Sequence, residues 1–261
     1  MPMILLPPSE SKTSPTSGDF LDLDKLSYGE LNISRRQVLG ALEVVSRGAI
    51  EGARKTLGIS AKQDFEIFRN REILSSPCAP AYQIYSGVLF DAIGMETFTK
   101  KELSRLIEST NVVSALFGLI GVGDFIPAYR LSADAKLPKI SSLAKQWAGQ
   151  VAQQLAPSTE MVIDLRSGMY QKLGPIPNEI SENTVVPRVM QKMSIGPPKV
   201  ISHHNKATKG RIVRALIRHK TRVDNFDNLA QLVAELGADV AVVKPTKNGM
   251  PFSLDVVISE H

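Results

Sequence analysis

The sequence predicts an α+β protein, a mixed sheet surrounded by helices, and three observations carry that expectation. Short β-branched runs (MILL, MVIDL, DVAVV, FSLDVVI) are scattered along the chain. Amphipathic stretches of helical period lie between them, without the regular strand–helix alternation of a doubly wound sheet. With 261 residues, 43% hydrophobic and 22% charged, the chain can bury one sizeable core and reads as one domain spanning 1–261.

Met3 to Leu6 is expected to be a short buried strand, ended by Pro7 and Pro8. The hydroxyl-rich loop SESKTSPTSG follows. Residues 34–57 read as one or two helices bent around Gly48 and stopped at Gly58, with a further helix after Ser60. Residues 99–110 read as helix; the next run, VVSALFGLIGVGDF, holds Gly118, Gly121 and Gly123, which mark part of it as turn. Residues 139–155 form an amphipathic helix carrying Trp147, 161–165 a central strand, and Val200 to His203 another strand. Helices over 208–219 and 226–236 come next, the second stopped at Gly237. Strands over 239–243 and 252–258 flank KPTKNGMP, whose Asn-Gly marks a turn.

Net charge is +5, yet its distribution says more: residues 183–223 contain ten Lys and Arg and no acid. The core of that block, ISHHNKATKGRIVRALIRHKTR, asks for an anionic partner. On a helical wheel Ile212, Val213, Leu216 and Ile217 form one apolar stripe, with Arg211, Arg214 and Arg218 opposite. Thr208 suits an N-cap, and Lys206, Lys209 and Gly210 flank the helix start, an arrangement suited to phosphate. KATKG is not a Walker loop. His203 and His204, adjacent on a strand end, face opposite ways and are not expected to share a metal.

Four polar clusters sit where strand ends collect ligands. They are Ser9, Glu10, Ser11, Lys12 and Thr13; Tyr85, Ser86 and Gly87; Tyr129 and Arg130; and Asp164, Arg166, Ser167 and Tyr170. Asp164 and Arg166 read equally well as a ligand clamp or as an ordinary ion pair. GLIGVGD lacks the dinucleotide-binding spacing and looks more like the glycine turn of a helix-hairpin-helix, as does LGIS at 57–60.

Five blocks in order, ILLPPSESKTSP, YSGVLFDAIG, SALFGLIGVGDFIPAYRL, VIDLRSGMY and VISHHNKATKGRIVRALI, resemble the YaaA-like peroxide stress proteins in an actinobacterial form. The resemblance implies a cytoplasmic protein that limits iron-dependent oxidative damage, with a family-specific fold, a basic cleft, a helix-hairpin-helix element and DNA binding. By motif it brings forward Lys12, Tyr129, Arg130, Ser167, Tyr170, Lys206, Lys209, Gly210 and Arg214. The chain departs from better-known members by reading Ile-Gly-Val-Gly-Asp for Arg-Pro-Leu-Asp, and Asp-Leu-Arg-Ser for Asn-Leu-Ala-Ser.

The leading expectation is therefore a DNA-binding oxidative-stress protein of low sequence specificity. Lys12, Arg130, Arg166, Lys206, Lys209, Arg211, Arg214 and Arg218 would contact phosphate. The alternative is an enzyme acting on a nucleotide or damaged nucleobase, with Lys12, Asp164, Ser167 and Tyr170 as catalytic candidates. No cofactor or metal is implied, and the Glu-x-x-His helices of iron storage are missing. No apolar run approaches the ~20 residues of a membrane span. The N-terminus lacks the basic start of a signal peptide, and the single Cys78 is expected to be inert.

Overall fold

The computed structural model describes residues 1–193, 199–200 and 202–259, with backbone alone at 199–200 and 202–204. In chain order the elements are β1 (Met3–Leu6), α1 (Asn32–Arg47), α2 (Ile50–Leu57), α3 (Phe65–Arg71), β2 (Ala79–Pro80), α4 (Ala81–Ile84), α5 (Val88–Ile93), α6 (Lys100–Ser109), β3 (Thr110–Ser114) and β4 (Gly118–Gly121). There follow β5 (Phe125–Ile126), α7 (Leu143–Leu155), β6 (Val162–Asp164), α8 (Gly168–Lys172), β7 (Thr184–Gln191), β8 (Lys199–Val200), α9 (Ser202–Arg218), α10 (Phe226–Ala234), β9 (Asp239–Val243) and β10 (Phe252–Ile258).

The main sheet has eight strands, in the order β4-β3-β1-β6-β7-β10-β9 with β8 added to β7. Its centre is parallel: β1 pairs with β3 and β6, β6 with β7, and β7 with β10. β4, β8 and β9 run antiparallel to their partners, which makes the sheet mixed and the architecture α+β, as expected. β1 and β6 are buried almost throughout, and this is why both read as continuous apolar runs rather than alternating ones. Parallel strands share their carboxyl edge. The segments after Leu6, Ser114 and Asp164 therefore emerge side by side.

The glycine-rich run is a hairpin, β3–β4, that packs on α7. Gly118 sits at φ 67°, and a Cβ there would come within 2.7 Å of the Trp147 ring. Trp147 Nε1 in turn donates to the Ala115 carbonyl at 2.9 Å. GLIGVGD is thus strand β4 and a turn closed by Asp124, whose Oδ2 accepts from the Gly121 and Ser27 amides at 3.0 Å each. That corrects its reading as a helix-hairpin-helix turn. LGIS does connect α2 to α3, through Gly58 at φ 61° and a 3-10 turn over Ala61–Gln63, with Arg54 Nε donating to Asp64 Oδ1 at 2.7 Å across the corner. A helix-hairpin-helix element is not shown by either segment.

Two further differences have physical causes. β7 went unread because Pro187 and Arg188 lie inside it. Its pairing with β6 covers only Thr184 and Val185, so the proline falls where that side of the strand is open. α9 begins at Ser202, so the strand expected over 200–203 ends at Val200, and Thr208 is a buried mid-helix residue rather than an N-cap. The side chains of His203 and His204 lie outside the described residues. Gly210, expected to flank the helix start, lies inside the helix, where α5 approaches too closely for a side chain. A Cβ there would strike the Leu89 carbonyl and lie 2.7 Å from Ala92 Cβ. The apolar stripe of Ile212, Val213, Leu216 and Ile217 is fully buried, as its spacing requires.

Gly210→Ala is expected to lower the unfolding free energy by about 1–3 kcal/mol through overpacking. Gly40→Ala, in α1 with nothing within 4 Å, should instead stabilise by roughly 0.5–1 kcal/mol. Urea denaturation of the two variants distinguishes a packing glycine from a spare one.

Candidate functional site

Lys12 lies in the loop after β1, held by a bridge to Tyr85 and by the Thr13 amide donating to the Ile84 carbonyl at 2.9 Å. Its Nζ donates to the Ser9 carbonyl at 2.6 Å and sits 4.2 Å from the centre of the Tyr129 ring and 5.5 Å from that of Tyr85. Burial, then the neighbouring Arg130 charge, lowers the Lys12 pKa from 10.5 to about 7, against a smaller opposing pull from Glu66. Tyr129 Oη lies 2.7 Å from Ser114 Oγ and 3.0 Å from Tyr85 Oη. Burial pushes Tyr129 up to about 12 and raises Tyr85 and Tyr170 as well, so these phenols keep their protons at neutral pH.

Arg130 is placed by α3. Asn70 Nδ2 donates to the Arg130 carbonyl at 2.8 Å, and the Arg130 amide donates to Asn70 Oδ1 at 2.9 Å. The Arg130 side chain is 10% exposed; Nη1 donates to Glu10 Oε2 at 3.2 Å, and Nε is buried without a partner among the described residues. Tyr170, on α8, senses Tyr129, Glu10, Arg130 and Asp134 electrostatically, which places it in the same cluster.

Next to this cluster, Asp164 and Arg166 form a fully buried pair. Arg166 Nε and Nη2 donate to the two carboxylate oxygens at 2.7 and 2.8 Å, and Nη1 donates to the Gly174 carbonyl at 2.6 Å. Asp164 and Arg166 are therefore one feature, a carboxylate and the cation that neutralises it. Of the alternatives the spacing left open, the ion pair is the one observed. Lys209 reaches the same spot from α9, donating to the Leu165 carbonyl at 3.0 Å and the Arg166 carbonyl at 3.4 Å. Burial lowers its pKa, and the charge of Asp164 opposes that shift.

The rest of the basic block divides in two. Arg214 Nη1 donates to the Ile93 and Gly94 carbonyls at 3.0 and 3.2 Å, capping α5. Arg218 Nη2 donates to Thr97 Oγ1 at 2.7 Å, and its guanidinium lies 5.6 Å from the Phe98 ring centre. Lys206 and Arg211 face solvent, and no ion pair holds either among the described residues. Ser167 is exposed just before α8. Cys78 is buried and its thiol is pushed up to about 11 by desolvation and Asp19, so little thiolate is present at neutral pH.

The structure thus gathers Lys12, Glu10, Tyr85, Tyr129, Arg130 and Tyr170, and beside them Asp164, Arg166 and Lys209. Sequence reasoning missed Glu66, Asn70 and Ser114. Glu66 and Asn70 stand four apart on α3 and are buried, while Phe65 and Phe68 are exposed, an inverted helix face that is visible in EIFRN. Elsewhere, a concavity of about 450 Å³ near Asn178 and Asn248 is lined by Glu179 and Glu182 without a cation, so it repels phosphate. Among the described residues no three His, Cys, Asp or Glu gather as metal ligands, and no helix is long and apolar enough to cross a membrane.

These features define a basic α+β protein with an enclosed cationic site at the carboxyl edge of a mixed sheet. The chain belongs to the YaaA peroxide stress protein family, whose model, described as "Peroxide stress protein YaaA", matches residues 3–236. A UPF0246 protein of Streptomyces coelicolor is 37% identical over 260 residues, 99% of each chain. A UPF0246 protein of Corynebacterium glutamicum is 38% identical over 239 residues, 90% of this chain and 93% of its own. One from Corynebacterium efficiens is 38% identical over 244 residues, 92% of this chain and 95% of its own.

Asp164→Asn is expected to cost about 3–5 kcal/mol, because it leaves a buried guanidinium without its counter-charge. Lys12→Met should have the opposite sign, with a defined pH window. Below pH 7 native and unfolded chains both hold the Lys12 proton, and the native state bears the full cost of burying it. Between about 7 and 10.5 only the unfolded chain keeps it, so wild-type stability rises with pH and the advantage of the methionine shrinks. Thermal melts at pH 6 and pH 10 should show the larger gain at pH 6.

Proposed function

We propose that this YaaA-family protein acts in the response to hydrogen peroxide by binding DNA with low sequence specificity and helping to limit iron-dependent damage to it. The observation that carries the reading is the acid-free block over 183–223, in which Lys192, Lys206, Arg211 and Lys220 face solvent with no ion pair among the described residues. Unpaired cations in a segment without carboxylates favour a polyanion. The family description supports the peroxide part of the reading.

Arg214, Arg218, Lys209 and Arg166 contribute less directly. Their donors hold carbonyls, a hydroxyl or carboxylates of the protein itself, so they place the segment rather than neutralise phosphate. An enzymatic reading draws support from the low pKa of Lys12 on the face of Tyr129. Asp164 is a poor general base in such a scheme, because Arg166 occupies both of its oxygens.

Duplex binding should fall with salt with a log-log slope of roughly −3 to −4, as expected for about four neutralised phosphates. The double variant Lys206→Glu, Arg211→Glu should stay folded and flatten that slope by about 2. Fluorescence anisotropy with a labelled duplex across a salt series measures it. Unchanged affinity in the folded double variant would remove α9 from the interface.

A further inference from the structure

Among the described residues three arginines are buried, and two of them are satisfied. Arg35 donates to the carbonyls of Phe117, Ser27 and Leu119 and to Asn32 Oδ1, at 2.7–2.9 Å. Arg166 is closed by Asp164 and Gly174. Arg130 is different. Its one side-chain bond is the 3.2 Å contact to Glu10, whose own side chain is 72% exposed, and its Nε is sealed from solvent with nothing to donate to. A guanidinium has five donors and cannot shed its proton, so a buried one without acceptors marks a missing partner.

The surroundings state the chemistry of that partner. Lys12 is electrostatically coupled to Arg130 and Arg69 on one side and to Glu66 and Glu10 on the other, with the Tyr85 and Tyr129 rings against its ammonium. Glu66 is committed to Arg69 at 2.6 Å. Glu10 is therefore the carboxylate of the group that is free to leave, and its departure takes from Arg130 its side-chain acceptor and from Lys12 one of the charges that favour its protonated form. The Tyr170 hydroxyl has no hydrogen-bond partner among the described residues and remains a neutral donor.

We propose that Arg130 and Lys12 form an enclosed site for a phosphate monoester, with the Glu10 carboxylate as a displaceable stand-in that occupies it when no ligand is present. A guanidinium fork presents two donors to two phosphate oxygens, and a lysine adds a point charge. The enclosure selects the monoester. An internal phosphodiester arrives with strand on both sides, whereas a free or terminal phosphate enters end-on between residues as buried as these. Arrival of a dianion also favours protonated Lys12, which is close to half neutral near pH 7 when the site is empty, so binding takes up a proton. The site adds a specific subsite to the DNA reading above, yet it uses none of the solvent-facing cations of α9.

The test is calorimetric titration of the full chain with inorganic phosphate and with sulfate, in two buffers of different ionisation heat. Sulfate does not titrate near neutrality, so proton uptake on sulfate binding belongs to the protein. Saturable 1:1 binding is expected, weakened about tenfold or more by Arg130→Gln, as for loss of a charge-assisted bond. Glu10→Gln, on an exposed side chain that tolerates substitution, should tighten binding several-fold. No saturable binding, or weak binding indifferent to both substitutions (an adventitious ion only), overturns the proposal. Displacement of phosphate by a 5′-phosphorylated oligonucleotide but not by its 5′-hydroxyl twin assigns the monoester to a strand end; displacement by AMP assigns it to a free nucleotide. Phosphate binding that survives in the Lys206→Glu, Arg211→Glu variant separates this site from the duplex interface. A wild-type protein that binds phosphate but no duplex would sink the DNA reading alone.

Discussion

A buried cation has to be given lone pairs, and much of this protein is arranged around meeting that demand. Lys209 projects from α9 into the sheet and takes the carbonyls that follow β6, residues 165 and 166. Arg214, further along the same helix, takes the carbonyls at the end of α5. Arg218 takes Thr97. α9 is thereby pinned to the sheet by Lys209, which is buried within the apolar stripe of Ile212, Val213, Leu216 and Ile217, and to α5 and the turn before α6 by Arg214 and Arg218 on the other flank. The carbonyl end of a helix carries partial negative charge, so a cation is favourable there, and Arg218 adds an ion pair with Glu102 at 3.8 Å. Much of the positive charge that stands out in the sequence is consumed in this way.

The same demand explains the centre of the site. Arg35, Arg166 and Arg130 are comparably buried, and only the last lacks a full complement of acceptors. Asp164 and Arg166 enter the chain as a matched pair, two residues apart and bonded to each other, so the charge each introduces is cancelled locally. Around Lys12 the cancellation is incomplete: Glu66 pairs with Arg69 and the exposed Glu10 with Arg130, and the lysine itself has no carboxylate bonded to it among the described residues. Burial first, and then the charge of Arg130, leave a lysine that gives up its proton far more readily than usual.

How much of this was legible depended on whether a residue's role was local. β1, β9 and β10 were readable to the residue because short apolar runs bounded by Pro or Gly have few alternatives. The strand-end placement of Lys12, Asp164 and Tyr170 was also readable, since buried strands announce their ends. α9 was misplaced at its start because Gly210 looks like a boundary in one dimension and is a contact with α5 in three. β7 hid behind Pro187, and GLIGVGD has the look of a helix-hairpin-helix turn although it is a β-strand whose Gly118 makes room for Trp147. The partner of Arg130 on α3, Asn70, lies sixty residues away in sequence, and no spacing rule links them.

One feature of the cluster carries a direction as well as a shape. Ser114 Oγ accepts from the amides of Leu116 and Phe117 at 3.1 and 3.2 Å, which fills both of its lone pairs. Its own proton must then point to Tyr129 Oη, and the Tyr129 proton onward to Tyr85 Oη. The row of hydroxyls is therefore polarised by the backbone at the end of β3, like a short wire with a fixed sense. Its last proton belongs to Tyr85, against whose ring Lys12 rests. The backbone of a single tight turn thus decides which way hydrogen bonds run through the site, and it does so before any ligand arrives.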